Sequence, residues 1–208
     1  MSDHRYTSDI AFTPAVKAIQ ARKGSRAAYA RMENGDGWGD TITPELAGFI
    51  AEQSSVFLAT VNHEGQPYIQ HRGGPPGFLR VMDQHTLAFA DYRGNRQYIS
   101  QGNLGENAKA HLFLIDYRNR RRVKIWGEAS VVENDPARLA SLMPAGYSAR
   151  GEQVMIFRVT AWDANCPQHI PQRFEAAEVQ QWLAERDQRI AALEAELAAL
   201  GRGQRPRS

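Results

Sequence analysis

Between residues 55 and 165 the apolar positions come in short blocks of strand length, and at both flanks the spacing becomes helical. Residues 56–61 form an apolar run rich in Val, Phe and Leu, which predicts a first strand. His63-Glu64-Gly65-Gln66 is a polar loop whose Gly65 supplies the positive φ of a hairpin. A second strand is expected over 67–72, with Pro67 at its first position, where a missing N–H matters least. Gly73-Gly74-Pro75-Pro76-Gly77 excludes regular structure. A third strand over 78–82, a turn at 83–85 and a fourth strand over 86–90 follow.

Residues 95–101 read as a short helix ended by Gly102, Gly105 and Asn107. Residues 108–116 read as a fifth strand, and Tyr117-Arg118-Asn119-Arg120-Arg121 as a basic turn, better explained as a solvated hairpin tip than as a nucleic-acid or membrane contact. A sixth strand over 123–132 places Lys124, Trp126 and Glu128 on one face and Val123, Ile125 and Gly127 on the other. Asp135 caps a helix to Leu142, 153–162 alternates as a seventh strand, and 163–171 is a loop. On the N-terminal side, Thr13-Pro14 starts a helix ended by Gly24, and Thr43 caps a helix over 44–53 with Leu46, Phe49 and Ile50 on one face. On the C-terminal side Val179, Leu183, Arg186, Ile190, Leu193, Leu197 and Leu200 are spaced 4-3-4-3-4-3, a heptad seam interrupted once. That seam fits a coiled coil and equally a helix packed on its own subunit. The expected organisation is an arm and loop over 1–42, a domain over 43–172, a helix over 173–200 and a disordered tail over 201–208.

Composition narrows the function classes. Of 208 residues 42% are hydrophobic, enough for a sizeable core, and 25 Lys and Arg stand against 23 Asp and Glu. A net charge of +2 gives no reason to expect a nucleic-acid binder. One cysteine excludes an internal disulfide and a cysteine-based zinc site, and suits a reducing, cytoplasmic location. No stretch reaches the ~18–20 apolar residues of a membrane span, and residues 1–12 do not read as a signal peptide. Asn34, Asp36, Gly39 and Glu45 fall at calcium-loop positions, but Trp38 occupies a ligand position, so 34–45 reads as a glycine-rich surface loop. No metal site is expected.

Two polar clusters carry the candidate chemistry. Gln70, His71 and Arg72 close the second strand beside bare glycine backbone at Gly73, and Asp91, Arg93, Asn95, Arg96 and Gln97 follow the fourth. Arginine forks and close backbone donors suit an anionic, planar ligand; solvated hairpin ends would look the same.

Four ordered runs separate these alternatives: Gln-His-Arg-Gly-Gly-Pro-Pro-Gly at 70–77, Phe-Ala-Asp-Tyr-Arg-Gly-Asn-Arg-Gln-Tyr at 89–98, Lys124-Ile125-Trp126-Gly127, and Asn165-Cys166-Pro167-Gln168-His169. Through them the chain, from about 55 to 172, resembles the flavin-binding half of the pyridoxamine 5′-phosphate oxidase-like split-barrel family. The resemblance implies an α+β, mainly β fold: a split β-barrel with flanking helices and a long C-terminal helix. It also implies a homodimer holding FMN at the subunit interface. In that picture Gln70, His71 and Arg72, with Gly73, approach the isoalloxazine and ribityl chain. Asn95, Arg96 and Gln97 hold the phosphate, with Asp91 and Arg93 in the same cluster. Lys124 and Trp126 come from a neighbouring strand, and Asn165, Cys166, Gln168 and His169 close the ring from the partner chain. Cys166 reads as a packing thiol of that loop. The C-terminal Arg-x-His substrate segment of the true oxidases is not found, so vitamin-B6 chemistry is not implied. The expectation is an FMN-dependent oxidoreductase acting on an unidentified small molecule, or a flavin carrier without turnover.

Overall fold

A computed structural model describes residues 6–165 and 167–203, so the expectations for Cys166 and for residues 204–208 lie outside the described residues. Seven strands form one antiparallel sheet: β1 (Ser55–Val61), β2 (Pro67–Gly73), β3 (Arg80–Asp83), β4 (Thr86–Tyr92), β5 (Lys109–Asp116), β6 (Arg121–Val132) and β7 (Gly151–Asn165). Their order is β2-β1-β5-β6-β7-β4-β3. The two edge strands, β2 and β3, are therefore consecutive in sequence. A flat seven-stranded sheet would separate them by roughly 29 Å, whereas the connection from Gly73 to Arg80 reaches at most about 25 Å. The sheet must curl, and the Gly-Pro run spans the gap between its edges. The result is a split β-barrel.

Alternation decides what the curl encloses. In β1, Val56, Leu58 and Thr60 are buried while their neighbours are half-buried, and β6 repeats this with Val123, Ile125, Gly127 and Ala129. The apolar ones, Val56, Leu58, Val123, Ile125 and Ala129, meet Leu87 and Phe89 of β4, Leu112 and Leu114 of β5, and Phe157 of β7 in one core. α3 (Pro44–Ala51), capped by the Thr43 hydroxyl, adds Leu46, Phe49 and Ile50 to it. β4 is buried on both faces: Ala88 and Ala90 pack under Leu142 of α5 (Pro136–Leu142). In the N-terminal arm, α1 (Pro14–Arg22) and α2 (Arg26–Asn34) are tied together through the buried Glu33, which pairs with Lys17 and Arg26 and accepts from the Ser8 hydroxyl. The loop after α2 is fixed by Trp162, whose backbone N–H donates to Gly39 and whose ring N–H donates to Thr41 at 2.9 Å.

The seventh strand, expected over 153–162, runs from Gly151 to Asn165, because its pairing with β6 continues into the segment read as a loop, and two further elements of the barrel depart from the sequence reading. The third strand begins at Arg80, not Phe78. Phe78 and Leu79 are each 1% exposed and fill the core from within the connection, so burial overrides strand pairing there. The helix expected over 95–101 is α4, Ile99–Glu106. Arg96 and Tyr98 adopt left-handed backbone, which no helix continues through. Downstream, Gly102 and Gly105 do not end it, because Leu104 and Asn103 anchor the turn, the latter donating to Thr60 at 3.0 Å.

Contacts divide the chain into two units, 1–116 with 121–168, and 117–120 with 169–208. In the second, Arg173 N–H donates to Tyr117, the Gln172 side chain donates to Arg118, and Arg118 pairs with Glu178 at 2.8 Å. The basic turn is thus engaged by the segment leading into α6 (Ala176–Gly203). The helix runs beyond Leu200, where a tail was expected to begin. No described helix is long and apolar enough to cross a membrane.

Candidate functional site

β2 and β4 do not pair, yet the curl of the sheet brings their C-terminal ends face to face. In β2, Gln70 is opposite Leu58 and Arg72 opposite Val56, so both point to the interior side. In β4, Asp91 shares a face with Leu87 and Phe89. Arg72 and Asp91 meet across the split at 3.2 Å, and Gln153 of β7 donates to the other Asp91 oxygen at 3.0 Å. The ion pair lies outside hydrogen-bond geometry, so Asp91 Oδ1 and Arg72 Nε are buried without a hydrogen-bond partner, as is the Tyr92 hydroxyl. Burial and the nearby Tyr147 push the Tyr92 hydroxyl pKa up. Buried orphans of this kind are rare in folded proteins and mark places where something is held or stored.

A recess of about 230 Å³ lies along this seam, walled by Gln70, Arg72, Gly73, Phe78, Phe89 and Tyr92, with His71, Asp91 and Arg93 also on its lining. A second recess of about 40 Å³ adjoins it, and Asn95, Arg96 and Gln97 line it together with Arg72 and Asp91. The smaller has room for only a few water-sized atoms, the scale of an anionic head group rather than a ring. Gly73 and Gly74 admit the close approach of this wall: a methyl on Gly74 would sit 2.7 Å from Phe78 Cβ.

The 93–98 loop is held at one end by the residue before β7 and at the other by the start of β7. Arg93 N–H donates to the Arg150 carbonyl at 2.9 Å, and the Tyr98 hydroxyl donates to Glu152 at 3.0 Å. Within the loop the Asn95 side chain accepts from Gln97 N–H, and Arg96 Nε donates to the Tyr98 oxygen at 3.2 Å. Arg96 thus stands at the recess three residues before α4, not on a helix start. The Gln70 carboxamide oxygen accepts from the Tyr68 and Ser100 hydroxyls, which fixes the side chain over the seam.

Of the remaining predicted residues, His71 borders the larger recess from the outer face, and the others do not join this cluster within the chain. His71 is exposed, accepts or donates at Ser55 Oγ (2.7 Å), and belongs to a row His71, Phe57, Phe113, Lys124 and Asp163 running across the outer face of five strands. Lys124 and Trp126 are on that outer face. Trp126 stacks on Trp38 at 4.6 Å, and Lys124 lies over both rings and pairs with Asp163 at 3.2 Å. His111 meets Trp126 edge-on at 4.8 Å, and burial, with the Lys124 charge, pushes its pKa down to about 4. Asn165 pairs with Arg122 at the end of β7, while Gln168 and His169 are exposed in the following turn, His169 in left-handed backbone.

Sequence reasoning missed Gln153, Glu152, Ser100, Tyr92 and Tyr98 as neighbours of the seam. Tyr92 and Tyr98 stand inside the 89–98 run and were available. Gln153 and Glu152 were not, because they reach the site through the β4–β7 pairing, in which Asp91 is opposite Gln153.

The model of the family described as pyridoxamine 5′-phosphate oxidase matches residues 42–183. No curated protein matches the chain. Among solved structures, HupZ of Group A Streptococcus is 22% identical, covering 64% of this chain and 99% of that one, with a TM-score of 0.48. An FMN-binding protein of Syntrophomonas wolfei is 12% identical, covering 70% and 97%, TM-score 0.45. A protein related to general stress protein 26, from Clostridium acetobutylicum, is 16% identical, covering 65% and 94%, TM-score 0.43. With a match over more than half of its length, the chain belongs to the pyridoxamine 5′-phosphate oxidase family.

Proposed function

We propose that this protein binds FMN along the seam of its barrel and acts as an FMN-dependent oxidoreductase on a small molecule. The observation that carries the reading is the pairing of two recesses. One is walled by apolar and amide groups and contains orphaned buried polar atoms; the other is of phosphate size and is lined by Arg72 and Arg96. The residues fit a flavin: guanidinium forks and amide donors match a phosphate, and Phe78, Phe89 and Tyr92 supply an apolar wall for a ring edge. When bound, FMN supplies the electron transfer, and the chain supplies orientation and electrostatics. Arg96, Asn95 and Gln97 hold the phosphate, while Gln70 and Arg72 face the ribityl and ring.

The recess walled by Phe78, Phe89 and Tyr92 is smaller than the ~300–1,000 Å³ of an ordinary ligand pocket, and a wider recess of about 590 Å³ beside Tyr98, Gln101, Glu133, Glu152 and Gln153 is polar and acidic, with no apolar wall for a ring. One chain therefore offers half a site, which supports a homodimer in which the outer face carrying His71, Lys124 and Trp126, with the 165–169 segment, completes the other half. Ile69 on that face is 62% exposed, as an uncovered interface residue would be. The single cysteine is in keeping with a cytoplasmic location.

The test is the visible absorption spectrum of the purified protein, with mass analysis of the released ligand. A flavin spectrum and an FMN mass are expected; a colourless protein that takes up no added FMN overturns the reading. Arg96→Ala should weaken FMN about tenfold or more, the scale of a lost charge-assisted bond, and leave riboflavin unchanged. Faster reduction or reoxidation of the bound flavin in the presence of a substrate separates an oxidoreductase from a carrier without turnover.

A further inference from the structure

Arg96 is exposed at the rim of the small recess, and an exposed arginine ordinarily samples many rotamers. Here it does not stand alone. Its Nε donates to the Tyr98 oxygen at 3.2 Å, and the same hydroxyl donates onward to Glu152 Oε1 at 3.0 Å. Arg96 and Tyr98 both hold left-handed backbone, with φ of 63° and 54°, a conformation that side chains other than glycine and asparagine rarely adopt. Such a loop persists only where surrounding contacts over-determine it. Glu152 is the second residue of β7 and the extra residue of a bulge opposite β4, held between Gly151, which pairs with Tyr92, and Gln153, which pairs with Asp91, so the sheet anchors it on both sides.

One feature of this arrangement runs against simple electrostatics. Glu152 lines the same recess as Arg96, so it places a carboxylate beside the proposed phosphate position. If Glu152 acted only through its charge, it would repel an anion there, and removing it would tighten anion binding. If it acts by holding Tyr98, and through Tyr98 the Arg96 fork, removing it weakens binding despite the lost repulsion. The two roles differ in sign.

We propose that Glu152 and Tyr98 are positioning residues that hold the Arg96 guanidinium for the phosphate of the flavin, so that phosphate affinity depends on a carboxylate the phosphate never touches. The inference rests on the FMN reading above. In it the strained loop is part of the site: β7 fixes the tyrosine, the tyrosine fixes the arginine, and the arginine meets the ligand already oriented, which lowers the entropy lost on binding.

The experiment measures dissociation constants of added FMN and riboflavin for the ligand-stripped full chain, by quenching of flavin fluorescence, together with the circular dichroism melt of each variant. Arg96→Ala sets the reference: its loss for FMN over riboflavin is the phosphate contribution. Tyr98→Phe keeps the ring and removes both hydrogen bonds, and Glu152→Ala removes the acceptor. Each should weaken FMN by about threefold to tenfold with riboflavin unchanged, the scale of one lost polar contact. Glu152→Gln keeps an acceptor oxygen and should restore FMN affinity to at least the wild-type level. Tyr98→Phe should add little to Arg96→Ala, since both act through one guanidinium. Tighter FMN binding in Glu152→Ala, or a Tyr98→Phe loss that Glu152→Ala does not share, overturns the inference while leaving the FMN reading intact. Equal FMN and riboflavin losses in Arg96→Ala overturn the FMN reading itself. Variants whose melts collapse are replaced by Tyr98→Leu and Glu152→Leu, whose side chains can neither donate nor accept a hydrogen bond.

Discussion

A methyl group on Gly127 would collide with the Arg158 carbonyl and the Phe157 ring, because β7 bulges at this point, with Trp126 opposite Ala161 and Gly127 opposite Val159. Thr160, the extra residue, donates to the Trp126 carbonyl at 3.1 Å and fixes the bulge. Gly127→Ala should therefore cost on the order of 3 kcal/mol, read as a lower denaturation midpoint. Gly102 is the opposite case: it lies inside α4 with nothing within 4 Å of an added Cβ, so Gly102→Ala should stabilise by about 0.5–1 kcal/mol. The sequence shows both glycines and cannot rank them, since the difference depends on which strand packs across the backbone. His111 gives a pH signature at the same scale. Its folded pKa is about 4 against 6.5 in the unfolded chain, so between those values the unfolded state binds the additional proton. The His111 contribution is complete above pH ~6.5 and is lost as pH falls towards 4. Melting temperatures from pH 7 to pH 4 should fall less steeply in His111→Asn than in the parent; parallel curves would mean that His111 titrates normally.

At the scale of elements, the sequence made the strands and the two polar clusters legible but not the way they meet. Seven strand segments were readable because alternation and turn chemistry are local. That Arg72 and Asp91 face each other follows from strand order, which places β2 and β4 across an open seam, and no local pattern encodes it. The start of α4 was misplaced for a related reason: Asn95, Arg96 and Tyr98 look like helix-opening residues, but the ties of Arg93 and Tyr98 to Arg150 and Glu152 pull the loop out of helical geometry. Lys124 and Trp126 fall on the outer face, as the alternation along their strand predicts, but the stacking of Trp126 on Trp38 was not readable, because it joins the strand to a distant loop. The Arg72–Asp91 pair should be a structural bridge as well as part of the site. Asp91→Ala leaves the Arg72 charge buried without its partner and should cost on the order of 3 kcal/mol. Asp91→Asn, which keeps an acceptor for Gln153, should cost less. Equal stability of both variants to the parent would show that the seam is held by the apolar core alone.

For the whole molecule, the C-terminal helix raises the question that the barrel does not answer. Val179, Leu183, Ile190, Leu193, Leu197 and Leu200 are all exposed along α6, Leu197 and Leu200 at 68% and 69%. Their 4-3 spacing makes one stripe, and a stripe of that length left in water gives up the burial that stabilises most helices. A second copy of the same helix is the simplest cover. In a parallel pair the flanking positions set Arg189 of one helix against Glu194 of the other, an attractive contact at the seam edge, and Arg186 is the single charged position within the stripe. The protein should therefore run in light scattering at about twice its 23.3 kDa chain mass. Ile190→Glu with Leu197→Glu places two like charges in the stripe, and should lower the melting temperature and shift the mass towards the monomer on dilution. Because these positions are remote in sequence from the runs at 70–77 and 89–98, the same variant should keep FMN binding at protein concentrations where it remains dimeric. A variant that stays dimeric at every concentration and melts with the parent would remove α6 from the assembly and shift the contact to the barrel's outer face.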